Sequence, residues 1–192
     1  KTYTHNPLDS NSISSNFIKS LLVDNDGDLW IGTIDGGLNV FDRENDLFIH
    51  YSSKNSSNNK FAGRNISSII QDKNGLIWIG TIGDGIYSYS KINNEFVHYQ
   101  LNPNDEHNTN IRTLFCDSNN NIWIGFDYES NGIYRIDGLS KEISFYSPEN
   151  QHKSPTALGP TRGIIELNNG RIITCTWTGR FYVANPNSNT LR

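Results

Sequence analysis

With 192 residues, 16 basic and 20 acidic side chains, the chain carries a formal charge of −4, which argues against non-specific binding to nucleic acid or to an anionic membrane surface, since both need a basic face. No window reaches the apolar length of a membrane span and no leading stretch reads as a signal peptide; the chain begins at Lys1 without Met and is expected to be an excerpt of a longer protein. Asn, Ser, Gly, Tyr and Trp are plentiful and Ala is scarce, a mix that favours short strands and tight turns over helices.

In chain order, residues 1–16 are expected to hold the end of an outer strand (Lys1-Thr2-Tyr3) and a loop. The unit 17–64 then predicts strands over 18–24, 27–33, 37–41 and 47–51, here termed a, b, c and d. The unit 65–110 repeats them over 66–72, 75–81, 85–89 and 95–99, and the unit 111–160 over 111–117, 120–126, 132–136 and 143–146. A weaker copy, 161–192, predicts strands over 162–167, 170–176 and 180–184, with 189–192 as the start of a strand d. Trp30, Trp78, Trp123 and Ile173 hold the same place in strand b, at intervals of 48, 45 and 50 residues, the period of a β-propeller blade.

The fold expected is all-β: about four blades of four antiparallel strands. A single twisted sheet of this composition would leave both faces wet, whereas stacked blades cover both. Trp30, Trp78 and Trp123 are expected to be large packing residues between adjacent blades. The turns Asn25-Asp26-Gly27 and Lys73-Asn74-Gly75 supply the positive φ of a tight a–b hairpin.

The run 24–33 (Asp-Asn-Asp-Gly-Asp-Leu-Trp-Ile-Gly-Thr), followed by Gly36-Gly37-Leu38, resembles the two-component regulator propeller repeat. Residues 72–81 with Asp84-Gly85-Ile86 match it equally well, and Tyr3-Thr4-His5-Asn6-Pro7 and Ser12-Ile13-Ser14-Ser15-Asn16 fit the connecting text. The resemblance covers 1–137 by motif and 138–192 by spacing and apolar pattern alone. It implies seven-bladed propellers, often two in tandem, in the extracytoplasmic half of an inner-membrane sensor. A β-sandwich, a membrane span, a histidine kinase and a response regulator would follow. Many members, notably in gut Bacteroidetes, sense oligosaccharides from glycan breakdown and switch on the matching degradation genes.

In a propeller, d–a and b–c connections emerge on one face and a–b and c–d connections on the other. The long connections here, about 52–64, 100–110 and 147–160, are all d–a, which makes that face the candidate ligand surface. Several residues on it break the repeat. The b–c turn 127–131 is lengthened and carries Tyr128 and Glu129; Trp177 replaces Ile34 and Ile82; Arg180 stands where Gly37 and Gly85 stand. Arg64, Arg112 and Arg162 lie at or beside the start of strand a, near the expected central channel. An aromatic platform beside Arg and carboxylates suits a sugar, an acidic one in particular; the alternative is that these are rim residues packing loops.

No catalytic residue, cofactor or metal is expected. Asp24, Asp26 and Asp28 hint at a calcium loop, but Leu29 occupies the position that needs Gly, so a hairpin turn is the better reading. The five histidines lack metal-ligand spacing: His50 and His98 share one place in strand d, and His107 and His152 are in loops. Cys116 and Cys175 hold different places in the repeat and are not expected to pair.

The two termini join in register as halves of one strand d, which leaves three ring architectures open. The chain is an excerpt of a longer propeller, or two copies close into eight blades, or one copy closes into four. An unclosed ring exposes a blade face, so self-association, as a dimer, is expected. The leading expectation is an extracytoplasmic, periplasmic ligand-sensing segment of a sensor kinase. Its partner is an oligosaccharide or other small molecule, with no nucleic acid, and with a membrane only through the parent protein. A propeller lyase of the streptogramin-inactivating type and a non-signalling glycan-binding propeller are the alternatives.

Overall fold

The computed structural model describes residues 1–51, 61–101, 109–127, 132–149, 159–185 and 188–192. Among them lie sixteen β-strands and no α-helix. The chain forms two compact units, Lys1–Tyr99 and Gln100–Arg192, each holding two four-stranded blades.

In the first unit, β1 (Ile18–Val23), β2 (Leu29–Thr33), β3 (Leu38–Asp42) and β4 (Leu47–Tyr51) form one antiparallel meander. β5 (Ile66–Gln71), β6 (Ile77–Thr81), β7 (Ile86–Ser90) and β8 (Glu95–Tyr99) form the second. The registers coincide: Leu22 faces Trp30 and Ile70 faces Trp78, and each β-bulge falls at the same place in strand a. The sequence period is therefore carried into pairing geometry.

Each a–b hairpin is tied by one aspartate. Asp24 Oδ1 accepts the backbone N–H groups of Asp26 (3.0 Å) and Asp28 (2.9 Å), while its Oδ2 accepts the Trp30 indole N–H at 2.9 Å. Asp72 binds the amides of Asn74 and Leu76 and the indole of Trp78 (3.0 Å) in the same way. Three donors converge on one carboxylate at such a turn, which makes a buried carboxylate tolerable there.

Blade stacking depends on a glycine as well as on the tryptophan. Trp30, only 1% exposed, lies in one apolar cluster with Ile66, Ile69, Ile79, Tyr89 and Phe96 of the next blade. A Cβ on Gly32 would come within 2.5 Å of Ile66 Cγ2, so only a hydrogen atom fits between these strands. Burying an Ile such as Ile79 between blades contributes roughly 1.5–3 kcal/mol.

The second unit holds β9 (Ile111–Cys116), β10 (Ile122–Phe126), β11 (Ile133–Ile136) and β12 (Ile143–Pro148) as blade three. Blade four is β13 (Thr161–Glu166), β14 (Ile172–Thr176), β15 (Phe181–Asn185) and the short β16 (Thr190–Leu191). Asp117 repeats the clamp in blade three, accepting the Trp123 indole at 2.8 Å. In blade four Leu167 and Ile173 stand in place of Asp and Trp, and the turn keeps only its backbone bonds, Leu167 N–H to Arg171 O and Gly170 N–H to Leu167 O. Gly125 faces Thr161 of the next blade, where a Cβ would lie 2.5 Å from Thr161 Cγ2.

One difference concerns the termini. Thr190–Leu191 takes the strand d place beside β15 and also pairs in parallel with Ser147 and Pro148 of β12. Lys1, Thr2 and Tyr3, read from sequence as the end of a strand d, form no strand. Tyr3 packs by its ring on Phe41 and Phe48 of the first blade (5.1 and 5.3 Å), its hydroxyl donating to Asp46 at 2.6 Å.

Candidate functional site

The b–c turn of blade four is built by short-range bonds. Thr176 N–H donates to Arg180 O (2.9 Å), Gly179 N–H to Thr176 O (3.1 Å), and Gly179 takes a φ of 77°, which glycine adopts without strain. Trp177 N–H donates to Pro160 O at 2.9 Å, fixing the turn against the entry to β13. The turn thus holds an indole outward: Trp177 is 68% exposed, and Phe181, at the start of β15, is 69% exposed.

Arg162, the second residue of β13, lays its guanidinium over the Trp177 ring, with Cζ 3.7 Å from the centroid. Such a contact orders both side chains while leaving the N–H fork and the other ring face open to a ligand. A planar aromatic beside a guanidinium offers a face for the C–H surface of a sugar ring and donors for its oxygens. Arg180 is exposed at the far end of the same turn.

The remaining sequence-derived candidates are dispersed. Arg112 is spent on an ion pair with Asp127 at the mouth of the β10–β11 connection. Arg64 belongs to the first unit, where it is exposed and its carbonyl accepts Gly37 N–H at 2.9 Å. Tyr128, Glu129, His107 and His152 lie outside the described residues. Trp30, Trp78 and Trp123 are all buried and all clamped by an aspartate.

Sequence reasoning missed the partner of the three-aspartate turn. Lys91, from the β7–β8 turn, places its ammonium within 2.9 Å of Asp24, 2.7 Å of Asp26 and 2.6 Å of Asp28. The turn therefore holds an internal cation, and among the described residues no group of three His, Cys, Asp or Glu side chains is arranged for a metal. Burial opposes the Lys91 charge, but the three carboxylates outweigh it and raise its pKa. Only the one-residue spacing of Asp24, Asp26 and Asp28 hinted at such a cage.

Residues 12–35, 60–83 and 105–128 match the family model described as Two component regulator propeller. The chain carries two-component regulator propeller repeats. Among curated protein sequences it has no match. Among solved structures it superposes on the extracellular domain assigned to a hybrid two component system of B. thetaiotaomicron, with a TM-score of 0.76 at 22% identity, over 100% of this chain and 26% of that one. A second extracellular domain from B. thetaiotaomicron, assigned to a one component system, gives 0.70 at 21% identity over 93% and 23%. The virginiamycin B lyase of Staphylococcus aureus gives 0.61 at 18% identity over 90% and 57%. At these identities the likeness is one of fold, and the chain spans only about a quarter of the length of the two extracellular domains.

Proposed function

We propose that the chain is a ligand-sensing stretch of the extracytoplasmic part of a hybrid two-component sensor, without catalytic activity of its own, and that it recognises oligosaccharide fragments. The propeller repeats and the two extracellular domains of like fold support the sensor context. The observation that carries the binding reading is the Arg162–Trp177 stack, held outward on blade four beside exposed Phe181. An exposed indole without a packing role is a feature of recognition surfaces. Within a parent sensor, ligand bound at this platform would bias a dimer arrangement and so the kinase.

Chemistry of the lyase type finds little support in the three described histidines. His5, His50 and His98 are each occupied by a backbone carbonyl, of Ile13, Ser12 and Asp84, at 2.7, 2.7 and 2.8 Å. Calorimetric titration with a panel of neutral and acidic oligosaccharides tests the proposal. Saturable binding lost in Trp177→Ala supports it; binding of no glycan, or streptogramin turnover, overturns it.

A further inference from the structure

A cavity of about 720 Å³ opens at the other end of β14 from Trp177, beside the a–b turns of blades three and four. Its base is apolar and includes Trp123 and Ala184. Its width follows from a substitution within the repeat. Ala184 follows the pair Val183–Ile173 in β15 as Tyr89 follows Ser88–Trp78 in β7. In the first unit the corresponding cavity is about 530 Å³, narrowed by the Tyr89 ring 5.5 Å from Trp30; in the second, a methyl group leaves the wider opening.

The charge of the two places is also opposite in design. In the first unit three aspartates surround Lys91. In the second, Arg135, Arg171 and Arg192 line the cavity with a single carboxylate, Asp117. The oxygens of Asp117 are already taken by the amides of Asn119 and Asn121, the Asn121 side chain and the Trp123 indole. Arg192 is bonded to Glu149, and Arg171 is exposed. Arg135 is under-satisfied: its Nε is buried with no hydrogen-bond partner among the described residues, and its Nη2 lies 3.9 Å from Asp137. A buried guanidinium N–H without an acceptor, in a cavity whose charged groups are mostly cationic, calls for an anion.

We propose that this cavity is a binding site for a small carboxylate carried on a ring, the carboxylate meeting Arg135 and Arg171 and the ring lying over the Trp123–Ala184 base. The site is separate from the Trp177 platform and does not rest on it.

The test is a titration of the full chain with galacturonate, benzoate, galactose and sulfate, followed by calorimetry and amide NMR shifts. Saturable binding of a ring carboxylate is expected, at least about tenfold tighter than galactose or sulfate. Arg135→Gln and Arg171→Ala should each weaken it by about tenfold or more, and Ala184→Tyr should weaken it as well by narrowing the cavity with the ring that blade two carries. Trp177→Ala should leave it unchanged, which separates this site from the platform. Tighter binding of galacturonate assigns a sugar acid, and tighter binding of benzoate an aromatic acid. Absence of saturable binding by either carboxylate, sulfate binding as tightly, or affinity indifferent to Arg171→Ala overturns the proposal. Should Ala184→Tyr fail to fold, the exposed Arg171 decides the matter alone.

Discussion

Asp72 and Trp78 stand six residues apart and meet across the β5–β6 hairpin, the indole N–H donating to the carboxylate at 3.0 Å. The other oxygen of Asp72 accepts the amides of Asn74 and Leu76, so one buried side chain serves three donors. Asp72→Ala removes all three bonds, two of them at amides that water can reach and one at the buried indole, and a loss of roughly 2–4 kcal/mol in urea unfolding is expected. Trp78→Phe leaves the carboxylate short of one donor. The double variant should be less damaging than the sum of the singles by about 1–2 kcal/mol, because the groups act as one unit. Blade four shows the natural form of that coupling, with Leu167 and Ile173 replacing both partners together.

Gly32→Ala tests the close approach of blades. Its Cβ would meet Ser20 Oγ at 2.3 Å and Ile66 Cγ2 at 2.5 Å, and both strands are held in ladders that resist displacement. A loss of about 1–3 kcal/mol is expected, the range for overpacked cores. Cys175, at the equivalent place in blade four, is exposed, and Cys175→Ala should shift the unfolding midpoint hardly at all, within about 0.5 kcal/mol.

The strands were legible in the sequence because the repeat aligns four copies of one pattern, and an error in one copy is corrected by the others. The turns with Gly27 and Gly75 were legible for the same reason, since positive φ restricts the residue type. The clamp was not. Asp24, Asp72 and Asp117 were visible as the last residues before each turn, but that a carboxylate reaches back to an indole six residues later depends on the hairpin twist. The exposed Trp177 was found because it broke the repeat, whereas its Arg162 partner sits on a different strand and only the fold brings the two together. The wider cavity was hidden because Ala184 is small and draws no notice, and it takes the fold to set it beside the Tyr89 ring that narrows the first-unit counterpart.

Lys91 and Asp24 give a pH signature. Burial works against the Asp24 charge, but bonds from Trp30, Lys91 and the turn amides prevail and hold its pKa below the usual 3.8. A carboxylate depressed in the folded state adds stability above its usual value, and that stability fades as pH falls through the lower folded value. Lys91 is raised, so its share is complete below its usual 10.5 and is lost as pH rises through the higher folded value. Lys91→Met should therefore lower the urea midpoint most between about pH 5 and 9, and progressively less as pH falls through the depressed folded value of Asp24. Equal destabilisation at pH 2.5 and pH 7 would show that the lysine acts through its aliphatic stem instead.

Leu21 and Ile69 hold the same place in the first strand of successive blades, facing Ile31 and Ile79 across the ladder. Ile69 is 6% exposed because Trp30 and its neighbours cover it, whereas Leu21 is 62% exposed, with Phe17, Ile18 and Val23 exposed beside it. Residues 1–16 shield only the outer part of that blade, through Ile13 against Ile31 and Phe48. A face whose counterpart is buried by a preceding blade is shaped to take a further blade, of a longer chain or of a second copy. Ile69→Glu should cost about 3–5 kcal/mol, the penalty of an unpaired buried charge. Leu21→Glu should change the unfolding free energy of this chain by less than about 0.5 kcal/mol in urea unfolding. If Leu21→Glu unfolds the chain as readily as Ile69→Glu, then Leu21 is covered in solution and the two places are equivalent.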